Sequence, residues 1–370
     1  MRLPLVEPHK KEHTYCAYCP KLCRFACPVS TVEARETTTP WGKMSALHHV
    51  AEGNLPLEPE LAATWWSCTG CLRCKTFCDH GNEVAAALGA GRAEAMRAGV
   101  APPAAVLAKQ DHPARVERAA RAAAEIFGDR LDARSETLFV PGCTACVVAP
   151  GDARDTLHAV DSLVARRAGV RARRCCGMPL LDAGDVDGFV GAARALLAEL
   201  DGAREVVFAD PGCLYALRVI APLCGVTSTT RLVHVSELAA EHLDRVPLRT
   251  VASNEPVRYH DPCRLGRGLG VYDAPRAVLA RLLGRAPDEL AFSRERAECS
   301  GAGGLLPRTA PESSEAIARE RARAHEEAGG GILVTACPGA ARALARAVGP
   351  DRVADLGAML GRALGAPKDV

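Results

Sequence analysis

Seventeen cysteines stand in this 370-residue sequence, and their spacing constrains the chain more than any other feature. Eight fall within the first 80 residues; nine are spread from Cys143 to Cys337. That density exceeds what core packing asks of a residue that behaves as a small apolar side chain. No stretch approaches the ~18 uninterrupted apolar residues of a membrane-spanning helix. The segment MRLPLVEPHKKEH lacks the apolar core and small-residue cleavage site of a secretory signal. The expected location is therefore cytoplasmic, a reducing compartment where clustered cysteines bind metal or do chemistry rather than form disulfides. Lys and Arg number 46 against 44 Asp and Glu, a balance that argues against a general nucleic-acid binder. Aromatic residues make up only 4%, too few for single-strand stacking platforms.

The first two clusters are CAYCPKLCRFACP, with Cys16, Cys19, Cys23 and Cys27, and CTGCLRCKTFCD, with Cys68, Cys71, Cys74 and Cys78. The second has the C-x2-C-x2-C-x3-C spacing that binds a cubane [4Fe–4S] cluster. Three thiolates on one tight turn reach three irons, and the fourth comes from elsewhere. In two-cluster ferredoxins the last Cys of each run serves the other cluster. By that rule Cys16, Cys19, Cys23 and Cys78 hold one cluster, and Cys68, Cys71, Cys74 and Cys27 the other. Zinc is the alternative. Four-cysteine zinc sites draw on two close pairs, whereas each run here offers three close cysteines and a remote fourth. The first run is one residue longer than usual in its middle spacing, and Asp79 stands where Pro commonly follows the last Cys. The extra residue, placed in the Pro20-Lys21-Leu22 turn, predicts a distorted first site that readily loses an iron. Trp65 and Trp66 are expected to shield a cluster from water, and His48 and His49, on a short helix at 43–51, to be packing or surface residues.

Residues 101–136 are rich in Ala and Arg and predict a connector helix with a charged face. From Ser135 the texture changes to a strand (ETLFVPG), a helix over 153–167, the loop RRCCGMPLLDAGD, a helix over 186–200, and the strand EVVFAD turning into Cys213. Strands alternating with helices predict a parallel α/β layer. The order then recurs: VRYHDPC matches LFVPGC, AECSGAGG matches RRCCGMPL, and ILVTACPGAARAL matches VVFADPGCLYAL. Cys143 to Cys263 is an offset of 120; Cys175 to Cys299 and Cys213 to Cys337 are offsets of 124. Such constancy marks an internal repeat. The expected fold class is an α-helical two-cluster ferredoxin domain (1–100) and a connector (101–136), then a duplicated α/β cysteine-rich domain (137–250 and 251–370) with pseudo-twofold symmetry. Residues 348–370 read as a C-terminal helix and a loose tail. Every landmark Cys stands at a predicted strand end or in a Gly/Pro loop, where ligands of open α/β sheets gather. Gly301, Gly303 and Gly304 in CSGAGG are expected to let the backbone approach a bound cofactor. The GK[ST] ending of a phosphate loop is absent.

The paired runs, Cys175-Cys176-Gly177, and YHDPCRLGRGLGVYDAPR at Tyr259–Arg276 carry a resemblance that spans residues 14–345. The chain resembles the two-[4Fe–4S] ferredoxin plus duplicated CCG-domain proteins. These include the iron–sulfur subunits of glycolate oxidase and anaerobic glycerol-3-phosphate dehydrogenase, and heterodisulfide reductase-related oxidoreductases. The resemblance implies that Cys143, Cys175, Cys176 and Cys213 are metal ligands in the first half, and Cys263, Cys299 and Cys337 in the second. It also implies a subunit passing electrons from a flavoprotein dehydrogenase to a quinone or other acceptor, peripheral at the inner membrane face beside a quinone-reducing partner. A heterodisulfide reductase-like subunit that reduces a disulfide is the alternative. The chain has no Rossmann G-x-G-x-x-G after a strand, so hydride chemistry falls to a separate flavoprotein, and no residue is assigned as catalytic.

Departures from the pattern matter. The second half reads Cys299-Ser300-Gly301, and neither Cys213 nor Cys337 is followed by a second Cys three residues on. The expected cofactors are therefore two [4Fe–4S] clusters and one further cluster, built from the first half or shared between the halves. Cys146 is a candidate extra ligand, and Cys224 is expected to be a buried small residue. His260 and Asp261 read equally as a proton relay or ligand-orienting pair and as a capped turn. The basic stretch Arg166–Arg174 reads as a site for an acidic partner or carboxylate, or as solvated surface.

Overall fold

The protein is described here by a computed structural model covering residues 3–250 and 255–366. Residue 251, at the junction of the two expected cysteine-rich domains, and the tail beyond 366 lie outside the described residues. The chain forms two compact units. One comprises the residues up to His112 with Pro179–Phe189 and Glu295–Arg321; the other comprises Pro113–Met178, Val190–Arg294 and the residues from Ala322 on.

The first unit is helical. Lys10–Ala17 ends at the first cysteine run, Pro28–Glu33 begins directly after Cys27, and Pro40–Ala51 and Val84–Arg97 supply the longer helices. Proline opens two of these, where its missing N–H is one the first turn leaves unbonded anyway. Thr39 caps the Pro40 helix, its Oγ1 accepting from Gly42 N at 2.9 Å, so that helix starts earlier than the sequence suggested. Met44, Leu47, Val50, Trp65, Trp66 and Leu88 form its core.

The expected connector is two helices, Pro103–Gln110 and His112–Phe127. Pro113 has no N–H to offer the carbonyl of Lys109, and it disfavours helical geometry at the residue before it. The helical ladder breaks there, and the boundary between units falls at the same place.

The second unit contains two parallel sheets. β1 (Thr137–Val140), β2 (Gly169–Val170), β3 (Glu205–Phe208) and β4 (Arg231–His234) stand in the order β2-β1-β3-β4. β5 (Val257–His260), β6 (Ile332–Thr335) and β7 (Val353–Asp355) stand in the order β5-β6-β7. Val140 pairs with Phe208 and Phe208 with His234; His260 pairs with Thr335 and Thr335 with Asp355. The central strands β1, β3 and β6 are short, mostly apolar runs buried at nearly every position, as parallel strands covered on both faces must be, and β5 is buried throughout although it carries Arg258 and His260. Sequence patterning found β1, β3, β5 and β6 but not the flanking β2, β4 and β7. The helix over 186–200 is present, whereas the one expected at 153–167 runs Pro150–Val164. Ala165, left-handed at φ 52°, closes it.

Candidate metal centres

In the first unit the eight cysteines of the two runs fall into two groups. Cys16 ends the Lys10 helix and lies within electrostatic reach of Cys78 and Cys19; Cys23 lies near Cys16, Cys78 and Cys19. Burial pushes the Cys16 thiol up to about 11, against the pull of Asn82, whose amide donates to Sγ at 3.4 Å. Burial pushes Cys23 up to about 12. Cys74 sits among Cys68, Cys71, Cys27 and Cys23, and burial again raises its thiol. The last cysteine of each run thus lies among the first three of the other. Like Leu72 in the second run, Lys21 in the first run is left-handed, at φ 66°. Its Nζ bonds Glu36 at 3.1 Å and lies 4.2 Å from the Trp41 ring centroid.

Lys43 is buried beside the second group. Its Nζ donates to Ser67 O at 2.6 Å and to Cys27 Sγ at 3.5 Å. Burial works against its charge, but Cys27, Cys68 and Cys74 outweigh burial and hold its pKa above the usual lysine value. The sequence reading missed Lys43, because a lysine inside an otherwise ordinary helix carries no spacing signal.

The CSGAGG loop belongs to this unit. Cys299 Sγ donates to Thr69 Oγ1 at 3.5 Å, and Gly301 N donates to Cys299 Sγ at 3.3 Å. A Cβ on Gly303 would stand 2.5 Å from Thr69 O, one on Gly304 2.1 Å from Cys68 O, and one on Gly301 2.3 Å from Ser314 O. Only bare glycines permit this backbone-to-backbone approach. Arg92 ties the same region together, donating to Cys68 O, Trp65 O, Asp182 O and Gly304 O at 2.9 to 3.4 Å. Trp65 and Trp66 are fully buried here, and Trp66 Nε1 donates to Asp182 O at 3.1 Å.

In the second unit Cys143 follows β1, Cys213 stands in the first turn after β3, and Cys175 and Cys176 occupy the loop after β2. Cys143 is hydrogen-bonded to Cys175, and Cys176 to both Cys175 and Cys213. These contacts, with burial, push the thiols of Cys143 and Cys176 well up. For Cys213 the bond from Cys176 lowers the pKa, but burial and Asp210 outweigh it. Gly177, at φ 83°, donates to Cys175 Sγ at 3.4 Å, the same turn that Gly301 makes on Cys299 at φ 80°. Cys146 is buried near Cys213 and raised by burial to about 12. Cys224, expected to be buried, is only partly so, because its turn ends a short surface helix.

Asp210 is a further residue the sequence reading missed. Its Oδ1 accepts from Gly212 N at 2.8 Å, and burial raises its carboxyl, with Arg115 and Cys175 both near. Cys337, at the start of the helix Pro338–Val348 after β6, has Asp210 and Cys263 as its charged neighbours, and burial raises its thiol. The strand-end loops carrying Cys213 and those carrying Cys263 and Cys337 therefore approach one another at Asp210. His234 is buried beside them, Nε2 at 3.3 Å from Ala209 O, and burial pushes it down to about 4.

Asp261 is an anchor rather than a free relay. Both its oxygens accept from Arg276, at 2.7 and 2.9 Å, and Oδ2 also accepts from Arg294 N at 2.8 Å. The basic stretch is neutralised within the unit. Arg166 pairs with Glu136, Arg167 with Asp129, Arg173 with Asp132 and Arg174 with Glu199. His49 is exposed, whereas His48 is buried with its Nδ1 at 3.0 Å from that of His13, one ring donating to the other. Burial lowers both pKa values.

Grouped thiols, several of them raised by burial and by their neighbours, suit a cationic centre, because metal binding supplies the charge that deprotonates them. Backbone N–H groups already turned to sulfur, such as Gly70 on Cys68 at 3.4 Å, are the bonds that tune such a centre. The donor set fits iron–sulfur clusters in the first unit.

Comparison with known proteins agrees with that chemistry. Residues 12–82 match the 4Fe-4S dicluster domain, and residues 257–344 match the cysteine-rich CCG domain. The chain is an iron–sulfur protein that joins these two domains, the combination its sequence resembled. Its second match covers the half in which Ser300 replaces a cysteine. The chain is 29% identical to one component of the dihydromethanophenazine:CoB–CoM heterodisulfide reductase of Methanosarcina mazei, across 66% of this chain and 63% of that protein. It is 30% identical to one component of the fumarate reductase (CoM/CoB) of Methanothermobacter marburgensis, over 38% of this chain and 27% of that one. It is also 33% identical to the probable iron-sulfur-binding oxidoreductase FadF of Bacillus subtilis, over 29% and 15%. The chain thus spans less than two thirds of the length of these relatives. Among the described residues no helix is long and apolar enough to cross a membrane.

Proposed function

We propose that this protein is the electron-transfer subunit of an oxidoreductase. It would relay electrons from a flavoprotein dehydrogenase to a quinone or another acceptor, and work in the cytoplasm or at the inner membrane face. Cys16, Cys19, Cys23 and Cys78 would hold one [4Fe–4S] cluster, and Cys27, Cys68, Cys71 and Cys74 the other. When bound, such clusters supply one-electron transfer without proton or group chemistry. The observation that carries the reading is the exchange of last cysteines between the two runs, which sets the two groups side by side. Tyr15, Tyr18, Leu22 and Phe25 are exposed around the first group, an apolar face of the kind a redox partner covers. Anaerobic purification with iron and sulfide assay tests the reading. About eight irons per chain and a co-purifying flavoprotein are expected. A colourless protein with stoichiometric zinc would end it.

A second reading rests on the hydrogen-bonded thiols of Cys143, Cys175, Cys176 and Cys213 and on the names of the relatives. Here these four residues, with Cys263 and Cys337 near Asp210, would hold a further cluster that reduces a disulfide, which takes two electrons and two protons to give two thiols. A duplicated α/β half would favour a shared site. β5 and β6 repeat the pairing of β1 and β3, and the bridge from Arg258 to Asp288 stands where β2 flanks β1. A disulfide-dependent reoxidation of the reduced protein, lost in Cys176→Ala, would favour this reading over relay alone.

A further inference from the structure

The two cysteine groups of the first unit differ in the charge built around them. Lys43, only 1% exposed, spends its donors on Ser67 O and Cys27 Sγ. Arg92, 5% exposed, spends its donors on four backbone carbonyls, one of them that of Cys68. Neither cation has a carboxylate partner among the described residues. A buried charge without a counter-charge is strongly destabilising. A thiolate-held centre would supply the anion that balances Lys43, which already reaches Cys27 Sγ, with Arg92 close by on Cys68 O. Cys16 of the first group meets instead the neutral amide of Asn82 and the carboxylate of Glu12.

Adding one electron to a cluster adds one negative charge. A fixed cation a few ångströms away in a medium of low dielectric stabilises the reduced form and raises the potential, and a carboxylate does the reverse. Trp65 and Trp66 keep water from screening the effect at the second group.

We propose that Lys43, seconded by Arg92, makes the Cys27–Cys68–Cys71–Cys74 centre the more oxidising of the pair, so that an electron delivered to this unit settles beside the CSGAGG loop. The inference rests on the two-cluster reading above. It names an order, first group to second, which that reading leaves open.

The test is a mediated redox titration followed by electron paramagnetic resonance on the full, cluster-loaded chain, with dithionite as the one-electron donor. Wild type is expected to show two midpoints. Cys16→Ser, which leaves the second group whole, should retain the upper one. Lys43→Met should lower the upper midpoint and leave the other in place, while Lys43→Arg, which keeps the charge, should stay near wild type. Iron content should be equal in wild type and both lysine variants. Lys43→Gln, which keeps a donor for Ser67 O, carries the same test should the methionine variant lose iron. An upper midpoint that does not move, or two midpoints that fall together, overturns the role of Lys43. Wild-type protein without two clusters would instead sink the reading beneath it.

Discussion

The thiol of Cys299 donates to the hydroxyl of Thr69 at 3.5 Å, joining residues 230 positions apart in sequence. A loop that the repeat assigns to the last α/β half is thereby fastened to the second cysteine run. Gly303 and Gly304 make the contact possible, because neither leaves space for a side chain against Cys68 or Thr69.

Gly304→Ala should therefore be costly. Its Cβ would fall 2.1 Å from Cys68 O, and φ is 66°. Left-handed strain alone costs roughly 1–3 kcal/mol. The clash adds to this and disturbs a ligand-bearing turn, so lower thermal stability and loss of iron are both expected. Gly53→Ala shares the positive φ, at 76°, but meets nothing within 4 Å. It should lose stability to strain only and keep its iron; equal iron loss in both would contradict the packing argument.

Replacing the cysteines one at a time should sort them across the runs. Cys78→Ser and Cys16→Ser are expected to leave the same residual paramagnetic signal. Cys27→Ser and Cys71→Ser should share the other signal, each variant losing about half the iron of two cubanes. If Cys27→Ser matched Cys16→Ser instead, each run would be serving its own cluster.

The thiols of the second unit make a separate prediction about stoichiometry. Iron beyond about eight per chain, the content of two cubanes, should disappear in Cys176→Ala while the cubane signals persist. Persistence of the excess would move the additional centre away from Cys143, Cys175 and Cys213.

Asp355 should give stability a measurable pH dependence. It caps the helix Leu356–Ala363, accepting from Gly357 N and Ala358 N, and burial with Asp152 nearby raises its carboxyl to about 7. An unfolded aspartate titrates near ~3.9. A raised carboxyl favours the folded state while protonated. Its contribution is thus full below the unfolded value, is lost as pH climbs towards 7, and is flat above that. Asp355→Asn keeps an equally good cap. It should unfold at a higher temperature than wild type at pH 8, by a margin that closes towards pH 4. Parallel melting curves across that range would refute the assignment.

Much of this was legible from the chain because it depends on short reach. Three cysteines within seven residues must share a turn, so Cys68, Cys71 and Cys74 announced a common centre. The strands before Cys143, Cys213 and Cys337 showed as apolar runs, and the one before Cys263 through its place in the repeat. The flanking β2, β4 and β7 did not, since runs of two to four residues are too short to show a period. The stretch Arg166–Arg174 could be read as a binding patch or as solvated surface, and the sequence did not show its ion pairs because the partners Asp129, Asp132, Glu136 and Glu199 lie 25 to 41 positions away.

Spacing, glycine placement and the repeat offsets thus specify which thiols act together locally and at which strand ends they stand. Tertiary structure alone decides that Lys43 is buried against Cys27, that Asp210 meets Cys337, and that the Cys299 loop packs on Thr69. The reason is physical: a turn is bounded by the reach of a few residues, whereas burial and electrostatic balance depend on which distant segments are brought together, and no local pattern records that.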